Sequence, residues 1–444
     1  MTRLRNKVSA IACLLLIFQS VIAQQTKPED QAIKLKSELV ELRAVVTDKK
    51  GQVVDNLTKE DFEILENNKP QMVSFFSIER TREAARRASD KKPVVEAPRP
   101  AASAPPARTI VLFVDTLHLT PFSLIRVKRV LKQFVDEQIT DDDLVAIVVT
   151  SGTLGSLQQF MKDRKMLRYA IDKITLFNRG SSLFTPYLAA QVTNNDDQAA
   201  QVAIQILVAE EGYVVLSQDA AREYARTRAR QIISQETYFR KAALITLKSV
   251  CDRMADMPGQ RMIAMLSDGF TVWDEAGSVD NDEVRAVTGR ASRSGIVIYT
   301  LDAKGLEVSP EFKASTPGGL GGSLTFSAYM AQSQADQQQI LRTLAADTGG
   351  EAFLNHNDLD MPLQKVLDNN SVYYAIAYYP SDETDRKKFR NVTIRVRNHP
   401  EYKVRAQKGY LPAEAKKTVA DLTPRQKLIE SMHSPLPVTA IAVD

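Results

Sequence analysis

The chain reads as an α/β protein: a doubly wound, mostly parallel sheet with a helical insertion, framed in sequence by two β blocks. Three observations carry this reading. From residue 109 to 369, continuous apolar runs alternate with helical periods, as expected for strands buried on both faces and joined by helices. Residues 187–257 break that alternation with a stretch rich in Ala, Gln and Arg, which reads as inserted helix. Residues 38–80 and 370–412 instead carry short strand patterns punctuated by turn residues. Each of those two blocks has too few strands for a stable sheet, so they are expected to combine into one β-sandwich, with the α/β domain inserted between them.

The first segment reads as an address. Arg3, Arg5 and Lys7 lead into an apolar run from Val8 to Phe18, and Val21-Ile22-Ala23 precedes polar Gln24-Gln25. That order is expected of a secretory signal peptide over residues 1–23. The run is short for a bilayer span of roughly 20 residues, and no later stretch is long and apolar enough, so no integral membrane segment is expected once the signal is removed. Those three basic residues also supply three of the four net positive charges of the 444-residue chain. The remainder is close to neutral, and bulk charge implies no nucleic-acid partner. With Cys13 in the signal, only Cys251 remains. It lies in a helical pattern with Leu244, Leu247, Val250 and Met254 and is expected to be a core residue.

The elements follow in order. Leu39 to Val46 alternates in part, Lys49-Lys50-Gly51 signals a turn, and Phe62 to Leu65 and Met72 to Phe76 continue the strand pattern around Asn67-Asn68. Residues 81–108, with five prolines from Pro93 to Pro106, read as an extended linker. Ile110 to Val114 is a buried strand ending in Asp115. Thr120-Pro121 then offers an N-cap with proline at the first helical position, and Leu124, Val127, Leu131, Phe134 and Val135 give the helical period. Leu144–Thr150, Gln260–Leu266 and Gly295–Asp302 are further buried strands, and Glu351–Leu354 an edge strand. The insertion is placed near 187–235, running into the helix before the strand at 260. Residues 304–334, with Pro317-Gly318-Gly319-Leu320-Gly321-Gly322, read as a long loop. Tyr373–Tyr379, Val392–Val396 and Tyr402–Ala406 resume the strands, and residues 413–444 read as a loosely ordered tail.

Ligands of open α/β sheets bind beyond the carboxyl ends of the strands. Asp115 and Asp268 both stand there, with the loop Arg179-Gly180-Ser181-Ser182-Leu183-Phe184 placed to bring hydroxyls to the same edge. Two carboxylates with hydroxyl and water oxygens suit a hard octahedral cation such as Mg²⁺.

Here the sequence resembles a known family. The strand Val111–Val114 with Asp115, the stretch Asp142–Thr150 and Leu266-Ser267-Asp268-Gly269 are similar to a von Willebrand factor type A (VWA) domain. Val45–Phe62 resembles the opening module of a bacterial family of secreted VWFA-related proteins. Tyr374-Ala375-Ile376-Ala377-Tyr378-Tyr379-Pro380 and Lys408-Gly409-Tyr410 resemble its closing module, so the likeness covers roughly residues 38–412. The resemblance implies a rim that holds a partner protein, and a metal site of Asp-x-Ser-x-Ser, a loop Thr and a further Asp. This chain has Asp115-Thr116-Leu117-His118-Leu119, with leucine at both serine positions. Asp115, Ser181 and Asp268 remain as a degenerate metal set.

Two readings of the rim stay open: a residual cation site, with Mg²⁺ as the possible ion, or aspartates hydrogen-bonded to nearby helix amides. His118 reads either as a base or cation ligand, or as a polar rim residue; His356, His399 and His433 show no ligand spacing. Arg222, Arg226 and Arg230 recur every four residues, either an anionic-partner surface or a solvated face. No His-Glu-x-x-His, Cys-x-x-Cys or Gly-x-Ser-x-Gly motif is present. The expectation is a secreted or periplasmic, non-enzymatic, adhesion-type protein of the cell envelope that binds an unidentified protein and needs no cofactor. The alternatives are a hydrolytic or other enzyme using Asp115, His118 and Asp268, and a structural envelope component.

Overall fold

A computed structural model describes residues 39–80, 108–177, 182–273, 282–306, 316, 320, 322–368, 372–381, 388–410 and 412. Its centre is a five-stranded, all-parallel sheet flanked by helices, in a mixed α/β chain compatible with a doubly wound fold.

The chain first lays down β1 (Val40–Thr47), β2 (Phe62–Glu66), β3 (Lys69–Gln71) and β4 (Val73–Arg80). Asn67 and Asn68 have φ of 47° and 63° and close the β2–β3 hairpin, because asparagine tolerates the left-handed region that a tight hairpin turn needs. The parallel sheet starts with β5 (Arg108–Val114), wholly buried. This strand takes in Arg108, which the sequence pattern assigns to the linker; the Arg108 guanidinium grips Asp143 through Nε and Nη2 at 2.7 and 2.6 Å. The rest of the expected linker lies outside the described residues, as do the expected signal peptide and tail.

Helix α1 (Pro121–Gln133) is capped by Thr120, whose hydroxyl accepts from the Ser123 amide, and ends in a π-helical turn (Phe134–Gln138). Next come β6 (Asp143–Val149) and α2 (Arg164–Lys173). The inserted helices are α3 (Pro186–Thr193), α4 (Asp197–Glu211) and α5 (Gln218–Met254). At 37 residues, α5 is about 55 Å long. Its first half packs on α3 and α4 through Ala221, Ala225 and Ala229, and its second half packs on the parallel sheet through Leu244, Leu247, Val250 and Cys251. Cys251 is fully buried, and burial pushes its thiol up to about 12.

The remaining elements are β7 (Gln260–Ser267), α6 (Asp282–Arg293), β8 (Ile296–Asp302), α7 (Leu324–Asp347), β9 (Ala352–Phe353) and α8 (Asp360–Asp368). The order β6-β5-β7-β8-β9 leaves β9 at the edge. The loop expected over 304–334 is corrected at its end: the Ser323 side chain caps α7, so residues from Leu324 onward are helix. Leu320, Phe326 and Met330 pack into the inserted helices, an anchor in tertiary structure that the Gln- and Ser-rich sequence conceals.

The last strands are β10 (Val372–Tyr378), β11 (Arg390–Val396), β12 (Lys403–Ala406) and β13 (Gly409–Tyr410). They join the first four in two sheets, ordered β12-β1-β10-β4 and β13-β11-β2-β3. Every pairing within the first sheet joins a strand from one end of the chain to a strand from the other. A single apolar cluster includes Leu42 and Ala44 of β1, Phe62 and Ile64 of β2, Tyr374 and Ile376 of β10 and Ile394 of β11. No helix among the described residues is long and apolar enough to cross a membrane.

Candidate functional rim

Parallel strands end together, so the residues after β5, β6 and β7 share one edge of the sheet. Asp115 follows β5, Thr150 follows β6 and Asp268 follows β7, and all three are buried. Backbone bonds hold the edge flush: the Asp115 amide donates to the Leu266 carbonyl at 3.0 Å and the Thr150 amide to the Val114 carbonyl at 3.2 Å.

Both oxygens of Asp115 are engaged. Oδ2 lies 2.7 Å from His118 Nδ1 and accepts from the Ser267 hydroxyl at 2.8 Å; Oδ1 accepts from the Thr150 hydroxyl at 3.2 Å. Burial opposes ionisation of this carboxyl, but the charge of His118 and the three hydrogen bonds outweigh it and hold Asp115 below the usual carboxylate range. His118 is enclosed in turn, against the Phe270 ring with centroids 4.8 Å apart. Its Nε2 lies 3.7 Å from Glu236 Oε1, an ion-pair distance too long for a hydrogen bond.

Asp268 is treated differently. Its Oδ2 accepts from the Thr120 amide at 2.8 Å and the Ser123 hydroxyl at 2.9 Å, so it caps the start of α1. Oδ1 is buried without a hydrogen bond. Burial pushes this carboxyl up to about 6, Asp302 adds to the rise, and the charge of Lys304 with the two hydrogen bonds restrains it. Gly269 follows at φ +77°, where a Cβ would lie 2.2 Å from the Gln337 carbonyl oxygen, so glycine is what lets α7 close over the rim.

The donors present do not fit a cation in the manner the resemblance implies. Leu117 and Leu119, at the serine positions, are buried apolar side chains, and Leu119 belongs to the core between the sheet and α1. Asp115 spends both oxygens on neighbouring side chains, and Asp268 spends one on α1. Among the described residues no group of three or more His, Cys, Asp or Glu side chains is arranged to hold a metal ion. Ser181, the third expected ligand, lies outside the described residues. Its neighbour Ser182 turns to Glu210, donating to Oε2 at 2.6 Å.

The other residues singled out from sequence separate in space. Arg222 lies 3.6 Å from Asp197, Arg226 donates to Asn195 and Arg230 to Glu223, so this face is laced with local partners. His356 offers its carbonyl to Arg126, His399 lies 3.2 Å from Glu401, and His433 is outside the described residues.

Sequence reasoning missed Glu236, which also accepts from the Thr271 amide at 3.3 Å, and the neighbouring pair Trp273–Asp336, joined at 2.8 Å. Glu236 comes from the middle of a long helix with nothing local to mark it. Thr150 and Ser267 had a usable signal, each being a hydroxyl at the carboxyl end of a strand beside one that ends in aspartate.

The outer rim is apolar where these groups stop. Arg126 donates to the carbonyls of Ala303, Lys304, His356 and Asn357 and so ties α1 to the loops after β8 and β9. Beside it Phe122, Ile125 and Leu306 are 71%, 69% and 64% exposed. Compared as a whole, the chain matches no protein-family model and no curated protein.

Proposed function

We propose that this chain is a secreted or periplasmic, VWA-like binding protein that holds a partner protein at the carboxyl rim of its parallel sheet without a metal ion and without catalysis. On this reading the first and last strands form one β-sandwich that frames the α/β part, as in the bacterial secreted VWFA-related family.

The observation that carries the reading is the use of the two rim aspartates. Asp115 is consumed by His118, Ser267 and Thr150, and Asp268 caps α1. Asp115 has no oxygen left without a hydrogen bond, and the one unbonded oxygen of Asp268, Oδ1, is buried. What the rim offers outward is the apolar set Phe122, Ile125 and Leu306 on a scaffold stiffened by Arg126. Exposed large apolar side chains grouped at one edge are a binding surface rather than a core. The hydroxyls nearest this network, Ser267 and Thr150, donate to Asp115 rather than to His118, so among the described residues no hydroxyl is paired with the imidazole as a nucleophile with its base.

The test places a photo-crosslinking amino acid at Phe122, and separately at exposed Tyr238 as a control, in the secreted chain exposed to envelope extract of the producing cell. Capture of a discrete protein from position 122, unchanged by EDTA, supports the reading. Capture abolished by EDTA, or equal at both positions, contradicts it.

A further inference from the structure

Away from the rim, β4 is an outer strand of its sheet and pairs with β10 along one side. Among the described residues, no backbone group of 73–80 bonds to any other segment. A register shift interrupts the pairing near Ser74, and Phe75–Arg80 then run in regular antiparallel register against 372–377. Open strand edges invite pairing, and proteins blunt them with shortness, proline or charge. The other outer strands are blunted in these ways. β3 is three residues long with Lys69 and Pro70, β13 has two residues, and β12 has four with Lys403 and Arg405. In the parallel sheet β9 has two residues, and β6 is bridged by Met161, which exchanges both backbone bonds with Val145.

β4 has neither proline nor lysine. Its charges sit at the far end and are engaged locally: Arg80 donates to the Asp55 carbonyl at 2.8 Å and Glu79 accepts from Ser77 at 2.7 Å. Phe75 is 54% exposed, and Met72 just before the strand is 87% exposed. On the inward face Phe76 and Ile78 pack on the apolar cluster yet stay partly exposed, so the cluster is open on this side. The same chain carries a strand-forming run without a described partner. Outside the described residues and past the expected signal peptide, Val438-Thr439-Ala440-Ile441-Ala442-Val443 is the run of six residues free of charge, glycine and proline. Four of the six are β-branched, which suits a strand, and Pro435 and Pro437 keep a helix from running into it. An uncharged run of this kind is an aggregation hazard unless it is paired. Extended, the 25 residues 413–437 span about 80 Å, several times the roughly 15 Å width of a four-stranded sheet.

We infer that the open side of β4 is the docking site for Val438–Val443 of the same chain, which adds there as a fifth, antiparallel strand. Every pairing in the two framing sheets is antiparallel, and the added strand follows that rule. Its main chain bonds the outward amides and carbonyls of 75–80, and its apolar side chains cover Phe76 and Ile78. Six residues meet six, so the regular part of β4 is matched in length. The docking is independent of the rim and of the proposed partner.

The experiment is residue-resolved hydrogen exchange by NMR on the full chain and on an Ile441→Asp/Val443→Asp variant, with sedimentation at the same concentrations. An outer strand bonds only its alternate amides to its neighbour, whereas a strand flanked on both sides bonds them all. The expected result is slow exchange at every amide of Phe75–Arg80 in the full chain. In the variant alternate amides of that stretch should exchange at least about tenfold faster, with β1 unchanged, and a peptide of residues 434–444 should slow them again. Fast alternate amides in the full chain overturn the assignment, and that reading does not depend on the variant folding. Slow exchange that the aspartates leave unchanged also overturns it. Slow exchange confined to concentrations at which sedimentation shows a dimer assigns the edge to a second copy and overturns pairing within one chain.

Discussion

Asp115 and Asp268 end neighbouring strands, yet their surroundings push them in opposite directions. Asp115 has the His118 ring and two hydroxyls beside it; Asp268 has burial and one unsatisfied oxygen. The consequence for stability follows from linkage. Below about pH 3.9, the ordinary value of an aspartate, Asp268 is protonated in folded and unfolded chains alike and costs nothing. Above its folded value of about 6 it is ionised in both states, and the folded chain bears the full cost of the buried charge. The gap of about two on the pH scale corresponds to roughly 3 kcal/mol. Asp268→Asn keeps an acceptor for the Thr120 amide and removes the charge. It is expected to stabilise the chain at pH 7.5 by up to about 3 kcal/mol, with the gain fading between pH 6 and pH 4 in urea unfolding series. The positions of both aspartates were legible in the sequence, because each closes a long apolar run. Their separate fates were not, since the deciding groups (Ser267, Thr150, Ser123, Lys304) reach them only through the folded sheet edge.

At the scale of elements, strands and caps were easier to read than the packing that anchors them. Thr120-Pro121 announces α1, and the apolar runs announce β5 to β8, because backbone geometry and burial leave local marks. The start of α7 leaves none, since Leu324, Phe326 and Met330 are spaced among Ser, Ala and Gln and take their meaning from the inserted helices. A similar long-range device joins the two halves of the framing strands. Glu66, at the end of β2, accepts from the Tyr378 hydroxyl at 2.5 Å, the Tyr410 hydroxyl at 2.8 Å and Arg390 at 2.8 Å, all of them buried. The tyrosines belong to the two closing motifs noted in the sequence, and Glu66 gives them a shared physical purpose. Glu66→Ala takes away the buried carboxylate that a buried arginine and two buried hydroxyls share. It is expected to cost about 3–5 kcal/mol in chemical unfolding, with β13 the first strand to lose amide protection. A cost below 1 kcal/mol would show the network to be dispensable.

Across the whole molecule, the alternation β12-β1-β10-β4 means that neither end of the chain builds its sheet alone. The expectation from sequence that the two blocks combine rested on counting strands, and the register supplies the reason: β1 is hydrogen-bonded on both sides by strands from the far end of the chain. Native-state hydrogen exchange should therefore find β1, β10 and β12 opening as one unit. Protection in β1 that survives the opening of β10 would contradict it.

The central claim concerns the other end of the parallel sheet, where Leu117 and Leu119 are buried and the two aspartates are hydrogen-bonded to neighbouring groups. The most direct test is thermal unfolding of the chain in EDTA, Mg²⁺, Mn²⁺ and Ca²⁺, beside an Asp115→Ala/Asp268→Ala variant. A cation bound only by the folded state at 100 times its dissociation constant would add about 2.7 kcal/mol. The account predicts the same melting temperature for the parent in all four conditions. A cation-dependent rise in the parent that disappears in the double variant would contradict it and restore a metal-dependent rim.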